Sequence, residues 1–234
     1  MSFLYEELDF RPTPIGDLML RRRRMAQFGD TDIYEVKLGE DFLMTSLFHE
    51  AESQLAKLGL GALDHDGLDV VVGGLGLGYT AVEALNDPRV ESLVVVDYLE
   101  GVIEWHQTGL VPLGKTLMDD PRCRLEQNDF FALMRNAPTK QLDAILLDID
   151  HTPTNVLHQT NTHFYTEEGL AEMTRHLKPG GVFAMWADGA PEAFFTERLR
   201  LVFTEAASHT IEFANPITGG TSVGAVYVAR SRKT

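Results

Sequence analysis

The run Val70-Val71-Val72-Gly73-Gly74-Leu75-Gly76-Leu77-Gly78-Tyr79 constrains the fold of this chain more than any other stretch. A short β-branched run that empties into glycines reads as a buried strand ending in a turn that lets the backbone approach a ligand. A helical segment, Thr80 to Leu85, follows. Nineteen residues after Gly78, a second apolar run, Leu93-Val94-Val95-Val96, ends in Asp97. A strand, a glycine turn, a helix and an acid at the next strand's tip together hold nucleoside cofactors in open α/β sheets. The spacing also discriminates between cofactors. The dinucleotide fingerprint needs glycine at its first, third and sixth positions, and counting from Gly74 the sixth is Tyr79. Nicotinamide and flavin dinucleotides are therefore disfavoured.

From Leu68 onward, strands and helices alternate. Strands are predicted at 69–73, 92–97, 122–126, 142–148, 181–186 and 223–229, with helices at 79–86, 99–108, 129–136, 167–177 and 191–206. Alternation at this length predicts an α/β fold, a doubly wound Rossmann-like parallel sheet with helices on both faces. Lys178-Pro179-Gly180-Gly181 reads as a tight turn, and the final strand as an antiparallel edge strand. Residues 1–48 read as a β-rich region ahead of a domain spanning 49–234. Pro12 and Pro14 open it, and Asp32 to Leu38, the turn Gly39-Glu40-Asp41 and Phe42-Leu43-Met44 form a hairpin. Phe48, Ala51, Leu55 and Leu58 then recur at helical spacing.

Charge narrows the partners. With 20 basic against 35 acidic side chains the net charge is -15, a poor match for a phosphate backbone, so no nucleic acid is expected. Arg21-Arg22-Arg23-Arg24 is the exception, read as a solvated strand or partner contact rather than an anion patch. No apolar run nears the ~20 residues of a membrane helix, so no membrane partner is expected. Met1-Ser2-Phe3-Leu4-Tyr5-Glu6-Glu7 is acidic where a signal peptide would be basic, which points to the cytoplasm. The single cysteine, Cys123, reads as a small buried hydrophobe.

Ligands of such sheets sit beyond the carboxyl ends of the strands. Candidate groups there are Gly74, Gly76 and Gly78, then Asp97, Asn128-Asp129, and Asp148-Ile149-Asp150-His151. Asp97 can accept from both hydroxyls of a ribose, and Asp129 from an adenine amino group or as a helix N-cap. Asp148 follows the apolar run Ala144-Ile145-Leu146-Leu147 and should emerge from the core directly at the site. Trp105 and Trp186 read as core or pocket wall, and Phe194, Phe195, Phe203 and Phe213 as buried in the last helix and strand.

Gly74-x-Gly76-x-Gly78 resembles the loop of class I S-adenosylmethionine-dependent transferases, as does Leu177-Lys178-Pro179-Gly180-Gly181 before a late strand. From about Phe42 to Trp186 the chain is similar to the spermidine synthase family, polyamine aminopropyltransferases on a seven-stranded methyltransferase-type sheet. Phe48-His49-Glu50, Val95-Val96-Asp97 with Val102-Ile103-Glu104-Trp105, Asn128-Asp129-Phe130-Phe131 and Asp148 carry the likeness. The resemblance implies S-adenosylmethionine or its decarboxylated form as cosubstrate and no metal. Asp97 would bind ribose, Asn128-Asp129 adenine, and Asp148 would be the base for an attacking amine. His49, Asp150 and His151 would lie on the substrate side, and a homo-oligomer such as a dimer is expected. The sequence departs from the family where Gly76 replaces a loop aspartate and His151 a second substrate-site aspartate.

Three reactions or roles stay open at this point. Aminopropyl transfer to a polyamine leads on resemblance. Methyl transfer to a small molecule is the alternative, since Gly76 leaves room for the carboxylate of intact S-adenosylmethionine. A non-catalytic nucleoside-binding protein is third. Asp148-Ile149-Asp150-His151-Thr152 also matches the Asp-x-Asp-x-Thr loop of haloacid-dehalogenase-type phosphatases, but that motif belongs on a first strand. A metal held by Asp148, Asp150, His151, His158 and His163 is conceivable, although their spacing is irregular.

Overall fold

The computed structural model describes residues 5–231; Met1 to Leu4, part of the acidic stretch read above as unlike a signal peptide, and the last three residues lie outside it. Two sheets are present. The first has four antiparallel strands in sequential order, β1 (Tyr5–Thr13), β2 (Gly16–Arg23), β3 (Ile33–Leu38) and β4 (Asp41–Thr45). The hairpin read at 32–44 is therefore half of this sheet. The other half escaped notice because β1 and β2 bury little beyond Leu18 and Leu20, so no clean alternation marks them.

The second sheet is built from β5 (Leu68–Gly73), β6 (Val90–Asp97), β7 (Cys123–Gln127), β8 (Leu142–Leu147), β9 (Leu177–Asp188), β10 (Glu205–Asn215) and β11 (Gly220–Arg230). Its order is β10-β11-β9-β8-β5-β6-β7, parallel except where β11 pairs with β9 and β10. Strand order reverses beside β5, whose two parallel neighbours are β6 and β8. The last strand is antiparallel as expected but not at the edge. That place belongs to β10, where a helix had been read through residue 206. Ala206-Ala207 favours a helix locally, but eleven paired positions with β11 override that preference.

The connecting helices are α1 (Glu50–Gly61), α2 (Tyr79–Asn86), α3 (Glu100–Gln107), α4 (Gly114–Asp119), α5 (Phe130–Arg135), α6 (Glu167–Thr174) and α7 (Ala193–Val202). They explain why the strands read as unbroken apolar runs. Val70 and Val72 of β5, Ala144 and Leu146 of β8, and Val182 and Ala184 of β9 join α1, α2 and α3 in one apolar cluster. Val71, Ile145, Leu147, Phe183 and Met185 point the other way, among Phe130, Leu170, Phe195 and Leu199 of α5, α6 and α7. Leu18, Leu20, Val36 and Leu38 belong to the first cluster, so the four-stranded sheet shares its core with the larger one. Trp105 is buried in that core, and its indole N–H donates to Asp9 Oδ2 at 2.6 Å, tying α3 to β1. Phe194, expected to be buried, is 44% exposed.

The arginine run is consumed inside the small sheet. Arg21 and Arg23 both pair with the buried Glu35 at 2.6 Å, while Arg22 pairs with Glu6 and Asp32, and Arg24 with Asp32. Odd and even positions of a strand face opposite ways, which sorts the four charges between two sets of acids. Glu35→Gln should leave Arg21 and Arg23 facing a neutral amide and cost about 3 kcal/mol, the low end for a buried pair because both arginines are partly exposed. Urea denaturation checks this; a change below roughly 0.5 kcal/mol would mean the pairing carries no stability.

Candidate active site

A cavity of about 550 Å³ opens at the carboxyl ends of β5, β6 and β8, beside the reversal in strand order. Its floor is the glycine turn. Gly74 has φ +95°, and a Cβ there would collide with the Asp148 carbonyl oxygen, so only glycine lets β5 and β8 close at this point. Gly76 has φ +47°, and a Cβ there would lie 2.5 Å from Met44 Sδ. Met44, carried in by β4, accepts the Leu77 N–H at 3.1 Å and covers the turn. The room expected at Gly76 is thus occupied by a thioether. Gly78 does not line the cavity: it starts α2 with φ +94° and faces His106 and Leu117 on the far side. It shapes the turn without touching a ligand's side of it.

Asp97 lines the cavity as expected. Its two oxygens accept backbone N–H groups, Leu75 at 2.9 Å and Leu99 at 2.8 Å, which fixes the carboxylate plane and locks the glycine turn to β6. Burial raises its pKa, and the backbone donors pull against that. Asp129 caps α5 through the Ala132 N–H at 2.9 Å, one of the two roles read for it, and it also lines the cavity. Asn128 is exposed, away from the cavity wall, and its side chain accepts the Asp129 N–H. It supports the neighbouring acid.

Asp148 sits at the tip of β8 and accepts the Thr80 hydroxyl through Oδ2 at 2.6 Å. Burial pushes its carboxyl up to about 6. Glu52, a residue that pattern reading missed, lines the same cavity, its carboxyl pushed up to about 8 by burial and by the charge of Asp148. One signal was available. Glu52 follows Phe48 by four residues, on the apolar stripe of α1, where a buried face normally carries an aliphatic side chain.

The substrate-side expectations divide. His151 lines the cavity. Asp150 does not; it is buried and its oxygens accept the Tyr165 hydroxyl (2.7 Å), the Leu157 N–H (2.7 Å) and the Asn161 amide (3.0 Å). It staples the 151–165 loop beneath the site, and with those donors in place it has little left for a substrate. His49 also lies off the cavity, stacked on Tyr79 at 3.9 Å. Tyr79 itself lines the site. The five-residue metal reading is dispersed, since Asp150 is so occupied and His163 pairs with Glu172 at 3.1 Å. The phosphatase reading fails as well, because β8 is the fourth strand of its sheet in chain order.

The remaining wall is apolar and aromatic. Phe42, Met44, Phe48, Trp186 and Phe213 line it, with the rings of Phe48 and Phe213 tilted against each other at 5.8 Å. Five carboxyls line it, Glu52, Asp97, Asp129, Asp148 and Asp188, together with His151 and His158; among the described residues no lysine or arginine does. Such a chamber selects for positive charge. Cys123 is half-buried on β7, and burial pushes its thiol up to about 11, an unreactive state at neutral pH.

Residues 50–212, the stretch that carries this floor and its acids, match the spermine/spermidine synthase domain. The chain belongs to the spermine/spermidine synthase family. Among curated relatives it is 30% identical over 175 residues to polyamine aminopropyltransferase 2 of Pseudomonas aeruginosa, covering 70% of this chain and 46% of that protein. It is 32% identical over 137 residues to the polyamine aminopropyltransferase of Mycobacterium tuberculosis, covering 58% of this chain and 25% of that one. The chain thus spans half or less of the length of these relatives. The fold agrees with that of the spermidine synthase from Thermotoga maritima (TM-score 0.75, 18% identity, 97% of this chain and 74% of that one). It also agrees with a spermidine synthase in complex with the transition-state analogue AdoDATO (TM-score 0.74, 18% identity, 97% and 73%).

In this family member the raised carboxyls of Glu52 and Asp148 give a stability signature. Each is protonated more readily in the folded than in the unfolded chain, so the folded protein holds extra protons between about pH 4 and pH 8 and loses stability as pH rises through that window. Glu52→Gln should flatten the decline: its melting temperature should fall less than that of the wild type between about pH 5 and pH 8. Parallel melting curves against pH for the two proteins would contradict the buried pairing.

Proposed function

We propose that this chain transfers an aminopropyl group from decarboxylated S-adenosylmethionine to an amine, with methylthioadenosine as the leaving product. The observation that carries this reading is the cavity's lining: five carboxyls, an aromatic wall and, among the described residues, no lysine or arginine. The donor is a sulfonium with a terminal ammonium and the acceptor is a second ammonium, all cationic. Family membership and the names of the curated relatives support the same reaction.

Each residue has a derivable task. Gly74 and Gly76 bring the backbone of the turn to the nucleoside, and Asp97, held by two backbone donors, presents free lone pairs to the ribose hydroxyls. Asp129 stands where an adenine amino group can be accepted. Asp148 takes a proton from the acceptor's ammonium, and a group with pKa about 6 is mostly ionised and competent to do so at neutral pH. The freed lone pair attacks the propyl carbon bonded to sulfur; the new C–N bond forms as the C–S bond breaks, and its electron pair stays on sulfur. Positioning in a desolvated chamber supplies much of the barrier reduction.

Methyl transfer needs intact S-adenosylmethionine, whose α-carboxylate would enter a chamber that already holds five carboxyls and lacks a lining cation. Met44 removes the space at Gly76 that had favoured it. Calorimetry should show tighter binding of the decarboxylated form than of intact S-adenosylmethionine, and preference for the intact form would overturn the assignment. Asp148→Asn should lower aminopropyl transfer by at least ~100-fold while methylthioadenosine affinity stays within a few-fold. Full activity of that variant would remove Asp148 from the role.

A further inference from the structure

Glu52 has no task in the mechanism above, yet it occupies a costly position. It lies in the first turn of α1 two residues after Glu50, which is exposed as a helix-starting acid usually is. Glu52 instead turns inward, lines the cavity with Asp148, and accepts from its own backbone N–H. No ion pair reaches either acid among the described residues. Thr80 sits beside both: its hydroxyl donates to Asp148 Oδ2 at 2.6 Å, and the backbone carbonyl oxygen of Glu52 lies 3.4 Å from that hydroxyl. A hydroxyl has one proton, and the shorter contact takes it, so Thr80 orients Asp148, with the first turn of α1 close beside it.

We infer that Glu52 is a direct ligand of the acceptor's ammonium, forming with Asp148 a two-carboxylate seat that gives up a shared proton when the ammonium enters. The inference rests on the aminopropyl-transfer reading and adds a residue and a linkage to it. The physics is that of like charges in a poorly hydrated site. Two carboxyls lining one poorly hydrated cavity beside the same hydroxyl cannot both ionise cheaply, so the pair retains a proton, in keeping with the raised pKa values of both. An ammonium brings a positive charge and three donors, enough to satisfy an oxygen of each carboxylate with both ionised. Tyr79 from α2 is the other ionisable group in the electrostatic reach of Glu52. Around the rest of the cavity stand Asp97, Asp129, Asp188, His151 and His158, and among the described residues no lining lysine or arginine competes for the seat. The walls of Phe48, Trp186 and Phe213 suit an alkyl chain carrying that ammonium. Such a seat discriminates against neutral acceptors, which would leave two desolvated carboxyls sharing their proton, and acceptor affinity should rise as pH rises toward 8.

The test is calorimetric titration of 1,4-diaminobutane into the protein saturated with methylthioadenosine, repeated in buffers of different ionisation enthalpy. The wild type should release about one proton per diamine bound near pH 7. Glu52→Gln should release none and bind the diamine roughly 30-fold more weakly, the low end for losing one partner of a buried charge pair. Glu52→Asp, which keeps the carboxylate, should recover the proton release. Methylthioadenosine affinity, unchanged in both variants, shows that each is folded. Equal diamine affinity and equal proton release in wild type and Glu52→Gln would overturn the inference, as would the absence of proton release from the wild type. If the wild type fails to bind methylthioadenosine at all, the aminopropyl-transfer reading falls and takes this inference with it.

Discussion

The parallel closure of β5 against β8 is the constraint on which the site depends. At their carboxyl ends the Asp148 N–H donates to the Gly73 carbonyl at 2.8 Å, and the Gly74 N–H donates to the Val96 carbonyl of β6 at 2.9 Å. The backbone of Gly74 then turns through a positive φ with no space for a side chain against the Asp148 carbonyl. Everything chemically active is measured from that point. Asp97 is held to the turn through Leu75, Thr80 begins the next helix and fixes Asp148, and Met44 roofs the turn through Leu77.

Around this floor the fold concentrates negative charge and withholds its cations. The arginines of β2 are neutralised by Glu35, Glu6 and Asp32 on the small sheet, and Lys178 by Asp69 and Asp143 at the opposite end of the strands. The acids of the cavity are left to face a ligand. Raised carboxyl pKa values at Asp97, Asp148 and Glu52 are the cost of that arrangement in the empty protein, and a cationic ligand relieves it. The same separation explains why net charge alone could not locate the site.

Much of this was legible in the chain itself. Strand β8 could be read because helices bury both of its faces and leave a continuous apolar run; β1 and β2 could not, because their side chains are largely charged and paired across a small sheet. Strand β10 was hidden by local helix preference in Ala206-Ala207 and exists because β11 offers it a full edge. Among site residues, Asp97, Asp129, Asp148 and His151 lie where strand-end reasoning put them. Asp150 was misjudged because spacing alone cannot tell a carboxylate pointing into a cavity from one whose oxygens are taken by Tyr165, Leu157 and Asn161. His49 was displaced for a similar reason, its ring being committed to Tyr79.

By itself the sequence determined the sheet, the glycine turn and the acids at the strand tips, because these follow from periodicity and from the conformational freedom of glycine, both local properties. Tertiary structure alone decided which acids share a chamber. Glu52 shares a cavity with Asp148 from 96 residues away only because α1 packs against α2, β8 and β9, and Met44 fills the space at Gly76 only because β4 is folded back over the turn. Proximity between distant residues is set by packing of whole elements, and no spacing along the chain encodes it.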